Sequence, residues 1–139
     1  MYQIIIAAHG TLSNGLVDAV ELIMGGTEQI ITYNLLQGDD VQVFGSKITE
    51  TLEGLEEEQG AVILTDLVGA SPYNQALMAV DSLAEEKQQN CFVLSGVNLP
   101  MVIEALILKD EDLALETAVE NMMAAARKNL VVDPLPEEI

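Results

Sequence analysis

The run "IIIAAHGTL", residues 4–12, carries consecutive apolar side chains straight into His9 and Gly10. Apolar residues at successive positions, not alternate ones, describe a strand buried on both faces. That is the pattern of a parallel sheet covered by helices on each side. His9 closes the run, and it is the only histidine in the chain. The first strand therefore ends on the chain's one imidazole.

Working outward, three more short runs rich in Ile, Val and Leu follow: "EQIITYNLL" (28–36), "GAVILTDL" (60–67) and "NCFVLSG" (90–96). Each reads as a strand. Between and after them the apolar residues change to helical spacing. Leu16, Val20, Ile23 and Met24 share one face, as do Val41, Phe44, Ile48, Leu52 and Leu55. Tyr73, Leu77, Val80 and Ala84 form a third stripe, Val102, Ile103 and Leu106 a fourth, and Leu115, Val119, Met122 and Ala126 a fifth. Strand alternating with helix predicts a three-layer α/β/α fold with a mainly parallel central sheet of about four strands. The segment "NLVVDPLPEEI" (129–139) reads as a C-terminal strand and tail whose prolines confine it to a sheet edge.

A chain of 139 residues, half of them apolar, is expected to fold as a single domain over residues 1–139. Its apolar runs fall short of the roughly 20 residues that span a bilayer, and "MYQIII" lacks the basic start of a signal peptide. Both features predict a cytoplasmic protein. The lone cysteine, Cys91, excludes an internal disulfide and reads as a buried strand residue. Five basic residues against 23 acidic ones give a net charge of -18. Such a surface repels phosphate backbones and anionic headgroups, so no nucleic acid or membrane surface is expected as a partner.

In open parallel sheets, sites form outside the carboxyl ends of the strands. His9 lies there for the first strand, "TDLVGASPYN" (65–74) for the third and "SGVNLPM" (95–101) for the fourth. Ser71 reads as a helix N-cap with Pro72 at the first helical position; Asn98 reads as another cap, with Pro100 in its first turn. Both helix starts then turn backbone N–H groups toward one rim, and Gly69 allows close backbone approach. Such a rim suits a tetrahedral dianion.

Asp66 ends an apolar strand, where a carboxylate is costly unless paired. Accepting from one imidazole nitrogen, it would fix the tautomer and leave the other nitrogen nucleophilic. Taken singly, Asp66 also reads as a loop cap and His9 as a half-buried structural histidine. Their placement on one rim with helix N-termini favours chemistry. One imidazole and one carboxylate do not make a metal site, and no dinucleotide or P-loop fingerprint is present, so neither metal nor cofactor is expected. Ser71 lacks the Gly-x-Ser-x-Gly elbow of a hydrolase nucleophile.

The motifs "AAHGTLSNGL", "TDLVGASPYNQA" and "SGVNLPM", in this order, resemble the IIA component of the mannose-class sugar phosphotransferase system. The resemblance implies that His9 accepts a phosphoryl group from the histidine-containing phosphocarrier protein. His9 would pass it to a IIB component, which serves the membrane IIC and IID components during sugar uptake. It further implies that Asp66 orients and stabilises the imidazole. Ser71, Gly69, Ala70 and Gly10 would hold the phosphoryl group, with the loop carrying Asn98 and Leu99 beside them. It also implies a homodimer that exchanges an antiparallel C-terminal edge strand. Val68 and Ala70 stand where the family often has Phe and Gly. The phosphotransferase subunit of dihydroxyacetone kinase shares the general design but usually carries Ser after the histidine. Gly10 and "NLP" here favour the sugar system. A reading from another class is a non-catalytic α/β module whose rim captures a small anion for regulation.

Overall fold

The computed structural model describes residues 1–134. Four strands, β1 (Tyr2–His9), β2 (Ile31–Leu35), β3 (Gly60–Thr65) and β4 (Cys91–Leu94), make one sheet in the order β2-β1-β3-β4, all pairs parallel. The connections are α1 (Leu12–Met24), α2 (Val41–Glu53), and α3 (Ser71–Asp81) followed by the short α4 (Glu85–Gln88). After β4 come α5 (Leu99–Leu108) and α6 (Leu115–Lys128). Among the described residues no helix is long and apolar enough to cross a membrane.

Period-two alternation divides the core. Tyr2, Ile4 and Ile6 of β1 and Val62 and Leu64 of β3 face α1, α5 and α6. Ile5, Ala7, Ala61 and Ile63 face α2 and α3. The consecutive apolar run of β1 is thereby used on both sides, and Ile4, Ile5 and Ile6 are fully buried. Each such side chain contributes about 1.5–3 kcal/mol. The helix layers follow from strand order. The chain leaves β1 toward β2, then reverses across β1 to β3 and continues to β4. Right-handed crossovers require the helices before and after that reversal to lie on opposite faces. Adjacent strands β1 and β3 consequently flank the point where the connections diverge.

Several local expectations are corrected. In α1, Ile23 and Met24 are exposed, because the helix ends at Gly25 as it clears the sheet. In α3 the buried face is Pro72, Ala76 and Ala79; Leu77 points outward. Small residues face inward there because α3 packs closely on α2, where a Cβ on Gly45 would press on the Gln75 side chain, whose own Cβ lies 3.3 Å away. Ser71 is the first helical residue, not the cap, and Pro72 is the second; Ala70 occupies the cap position. Cys91 is half-buried in edge strand β4, and burial pushes its thiol pKa up. The expected C-terminal edge strand is one exchanged with a second chain; within the single chain its described residues do not join the sheet. Leu130, Val131 and Val132 follow α6 as exposed, unpaired chain. The outer edges of β2 and β4 are left unpaired among the described residues. Residues 135–139 of that segment lie outside the described residues.

Candidate active site

β1 delivers His9 to the carboxyl edge of the sheet, and β3 delivers Asp66 beside it. Ala7 pairs with Thr65, so each side chain stands just past the β1–β3 ladder, while His9 still pairs with Leu35 of β2. His9 Nδ1 lies 2.8 Å from Asp66 Oδ2, and the His9 backbone N–H donates to the same oxygen at 2.9 Å. Asp66 Oδ1 accepts from the Leu67 N–H at 2.9 Å. A carboxylate only accepts, so Nδ1 carries the proton and the lone pair resides on Nε2. The His9 side chain is 45% exposed and Asp66 only 12%. Burial alone pushes the Asp66 carboxyl upward. The hydrogen bonds from His9 and Leu67 outweigh it, and the pKa lies below the usual carboxylate value.

The surrounding loops are braced. Gly10 takes a positive φ of 59° and its N–H donates to Leu35 O at 2.8 Å, turning the chain sharply after His9. Ser13, fully buried in the first turn of α1, shares its one O–H between Asn34 Oδ1 at 2.8 Å and Tyr33 O at 3.0 Å, fixing that helix against β2. Gly69 has φ 79°, and its carbonyl accepts from Asn74 Nδ2 at 2.9 Å. Gly69, Ala70 and Ser71 thus form the entrance to α3, next in chain to Asp66. Neither Thr11 nor Ala70 makes a side-chain cap bond, so α1 and α3 begin with uncapped first turns.

Asn98 and Leu99 stand farther out, past edge strand β4. Asn98 Oδ1 accepts from the Met101 N–H at 3.1 Å, and its Nδ2 donates to Ala126 O at 3.1 Å, joining the start of α5 to the end of α6. Sequence reasoning missed how this loop is tied to the site: the Gly96 N–H donates to Asp66 O and the Val97 N–H to Thr65 O. Gly96, at φ 78°, was the available signal, since "SG" at a strand end marks a sharp turn. A cleft of about 480 Å³ lies instead between β2 and α2 and is lined by residues such as Thr32, Asn34, Asp39, Val43 and Lys47. His9 is outside it, on an open rim. Among the described residues no cluster of three His, Cys, Asp or Glu side chains is arranged to hold a metal ion.

The EIIA-man family model, described as "PTS system fructose IIA component", matches residues 3–123. The chain belongs to this family. As a mannose-class IIA component of a sugar phosphotransferase system it is 30% identical to the fructose-specific EIIA component of Bacillus subtilis, over 95% of this chain and 86% of that one. It is 29% identical to the mannose-specific EIIAB component of Escherichia coli, covering 90% of this chain but 40% of the longer protein. The crystal structure of phosphotransferase system component EIIA from Streptococcus agalactiae superposes with a TM-score of 0.84 at 26% identity, over 95% and 97% of the two chains.

Proposed function

We propose that this IIA component carries phosphoryl groups on His9 Nε2, taking them from the histidine-containing phosphocarrier protein and giving them to a IIB component during sugar uptake. The observation that carries this reading is the oriented, exposed imidazole: Asp66 occupies Nδ1 and Nε2 is left with its lone pair on an open rim. A protein donor reaches such a rim more readily than a nucleophile at the base of a cleft. In the forward step Nε2 attacks phosphorus, the P–N bond to the donor imidazole breaks, and its electron pair returns to the donor nitrogen. The positive charge that develops on the His9 ring is shared with the Asp66 carboxylate through Nδ1–H. The uncapped starts of α1 and α3, with Gly10, Gly69, Ala70 and the Ser71 hydroxyl, offer donors to the phosphoryl oxygens. Transfer to IIB reverses these steps.

On this reading residues 1–139 act as one cytoplasmic IIA-type domain. The exposed run Leu130–Val132 also supports a homodimer in which each chain lends this segment to its partner's sheet edge. Light scattering tests the second point: removing residues 129–139 is expected to convert dimer to monomer or aggregate, and a monomeric full-length chain refutes it. The transfer itself is tested by incubating the chain with the phosphocarrier, its kinase and phosphoenolpyruvate, then measuring intact mass. One acid-labile phosphoryl group is expected. An unchanged mass leaves only an anion-binding module.

A further inference from the structure

The turn after β3 exposes two apolar side chains: Leu67 is 62% exposed and Val68 is 73%. Neither belongs to either core cluster, so packing does not account for their apolar character. The turn that carries them is held at several points. The Leu67 N–H donates to Asp66 Oδ1, the Ala70 N–H to Leu67 O at 3.3 Å, and Asn74 Nδ2 to Gly69 O. The Gly96 N–H ties Asp66 O to the neighbouring loop at 3.1 Å. A solvent-exposed apolar tip on a braced turn loses little conformational freedom when another surface covers it, which is the condition for an effective contact.

The neighbourhood extends that character. Leu12 opens α1 three residues after His9, and Leu36 follows Leu35, the register partner of His9; both are exposed. Charge is distributed to match. The carboxylates in the loops that follow the strands are Asp39, Asp40 and Asp66, and all three accept hydrogen bonds from groups of those same loops and helix starts. The exposed acidic runs Glu56–Glu58 and Asp110–Asp112 lie in loops at the opposite end of the sheet. A partner arriving with a dianionic phosphoryl group therefore meets apolar side chains and loop carboxylates already engaged in hydrogen bonds, with the acidic runs Glu56–Glu58 and Asp110–Asp112 at the far end.

We infer that Leu67 and Val68 are the docking contact for the phosphorylated donor: a protein whose phosphohistidine is bordered by an apolar surface. This rests on the phosphoryl-carrier reading. Covering the tip aligns the donor's P–N bond with His9 Nε2, while the chemistry stays with His9 and Asp66. The specificity determinant is thus adjacent to the reacting group without touching it.

The test compares a protein donor with a small one. The full chain and its Val68→Asp and Val68→Ser variants are phosphorylated by the phosphorylated phosphocarrier and, separately, by phosphoramidate, which needs no docking surface. The expected result is a KM for the protein donor raised about tenfold or more in Val68→Asp, less in Val68→Ser, with kcat nearly kept. Labelling of His9 by phosphoramidate is expected to be equal in all three. Equal protein-donor KM values overturn the docking contact and leave the carrier reading standing. Loss of phosphoramidate labelling only in the variants also overturns it, because Val68 would then act through the imidazole. Failure of the unsubstituted chain to be labelled by either donor overturns the carrier reading and the docking contact together.

Discussion

Four helices start at the carboxyl edge of the sheet, and they start in two ways. α2 and α5 are closed by their own side chains: Asp40 Oδ1 accepts from Gln42 and Val43 N–H, and Asn98 Oδ1 from Met101 N–H. α1 and α3 begin on Thr11 and Ala70 with no side-chain cap. The closed pair follows β2 and β4 at the sheet edges. The open pair follows β1 and β3, the central strands that deliver His9 and Asp66. A cap is worth about 1 kcal/mol, and here it is missing where free N–H groups would serve a bound anion. Capping is kept at the helices that follow the edge strands.

The largest expected effect breaks the comparison at its centre. His9→Ala removes the only imidazole, so phosphoryl acceptance is expected to vanish entirely, as read by intact mass. The side chain is half exposed at the end of β1 and outside both cores, so the circular dichroism spectrum is expected to be unchanged. Phosphorylation of this variant would refute the assignment.

Asp66→Asn comes next. The amide still meets Nδ1 but cannot share developing positive charge and can present its donor side, favouring the wrong tautomer. Transfer is expected to slow by about 10²-fold or more, measured by rapid quench. The same variant gives a pH test. Because the folded Asp66 pKa lies below its ordinary value, its stabilising contribution is complete above the unfolded carboxylate value, near 4. It is lost as pH falls through the folded pKa. The difference in urea midpoint between the parent and Asp66→Asn is therefore expected to shrink as pH falls below about 4.

The parts of this arrangement that rest on pattern were legible in the sequence. Consecutive Ile residues from Ile4 demanded two covered faces, and the His9, Asp66 and Asn98 loops fell on one edge because parallel strands put them there. What was missed depends on distance and partner. Ala76 and Ala79 face inward because α3 approaches α2 closely, whereas hydrophobic size pointed to Tyr73 and Leu77. Thr11 and Ser71 are capping residue types, yet neither caps, since capping depends on the backbone angles of the turn before the helix. Leu130–Val132 has strand composition and lies exposed after α6; the edge it would join in a dimer belongs to a second chain, outside what one chain's pattern encodes.

Ala70→Asn sharpens the comparison by closing one of the open helices. Ala70 already has φ -86° and ψ 174°, the extended backbone that a capping residue uses. An Asn side chain there can accept from the first-turn N–H groups of α3. Stability is expected to rise by up to about 1 kcal/mol in urea unfolding. Phosphoryl acceptance is expected to fall by roughly tenfold, because those donors are no longer free. A rise in stability with no loss of rate would mean that the start of α3 does not serve the phosphoryl group.

The smallest effect on transfer is expected at the matching closed helix. Asp40→Ala removes the acceptor for Gln42 and Val43 N–H and leaves α2 uncapped, at a cost of about 1 kcal/mol in urea unfolding. α2 follows edge strand β2, so its newly freed N–H groups are one strand removed from β1 and on the far side of it from Asp66. The rate of phosphoryl acceptance is therefore expected to stay within about twofold of the parent at a temperature where both are folded, since a dipole's influence is largely spent within the first turn. Ala70→Asn and Asp40→Ala then form opposite members of one pair: a cap added near His9 exchanges rate for stability, and a cap removed away from it costs stability alone. A clear gain in rate from Asp40→Ala would instead show that any uncapped helix at this edge assists the anion. In that case the difference between the two kinds of helix start is one of stability and carries no chemical meaning.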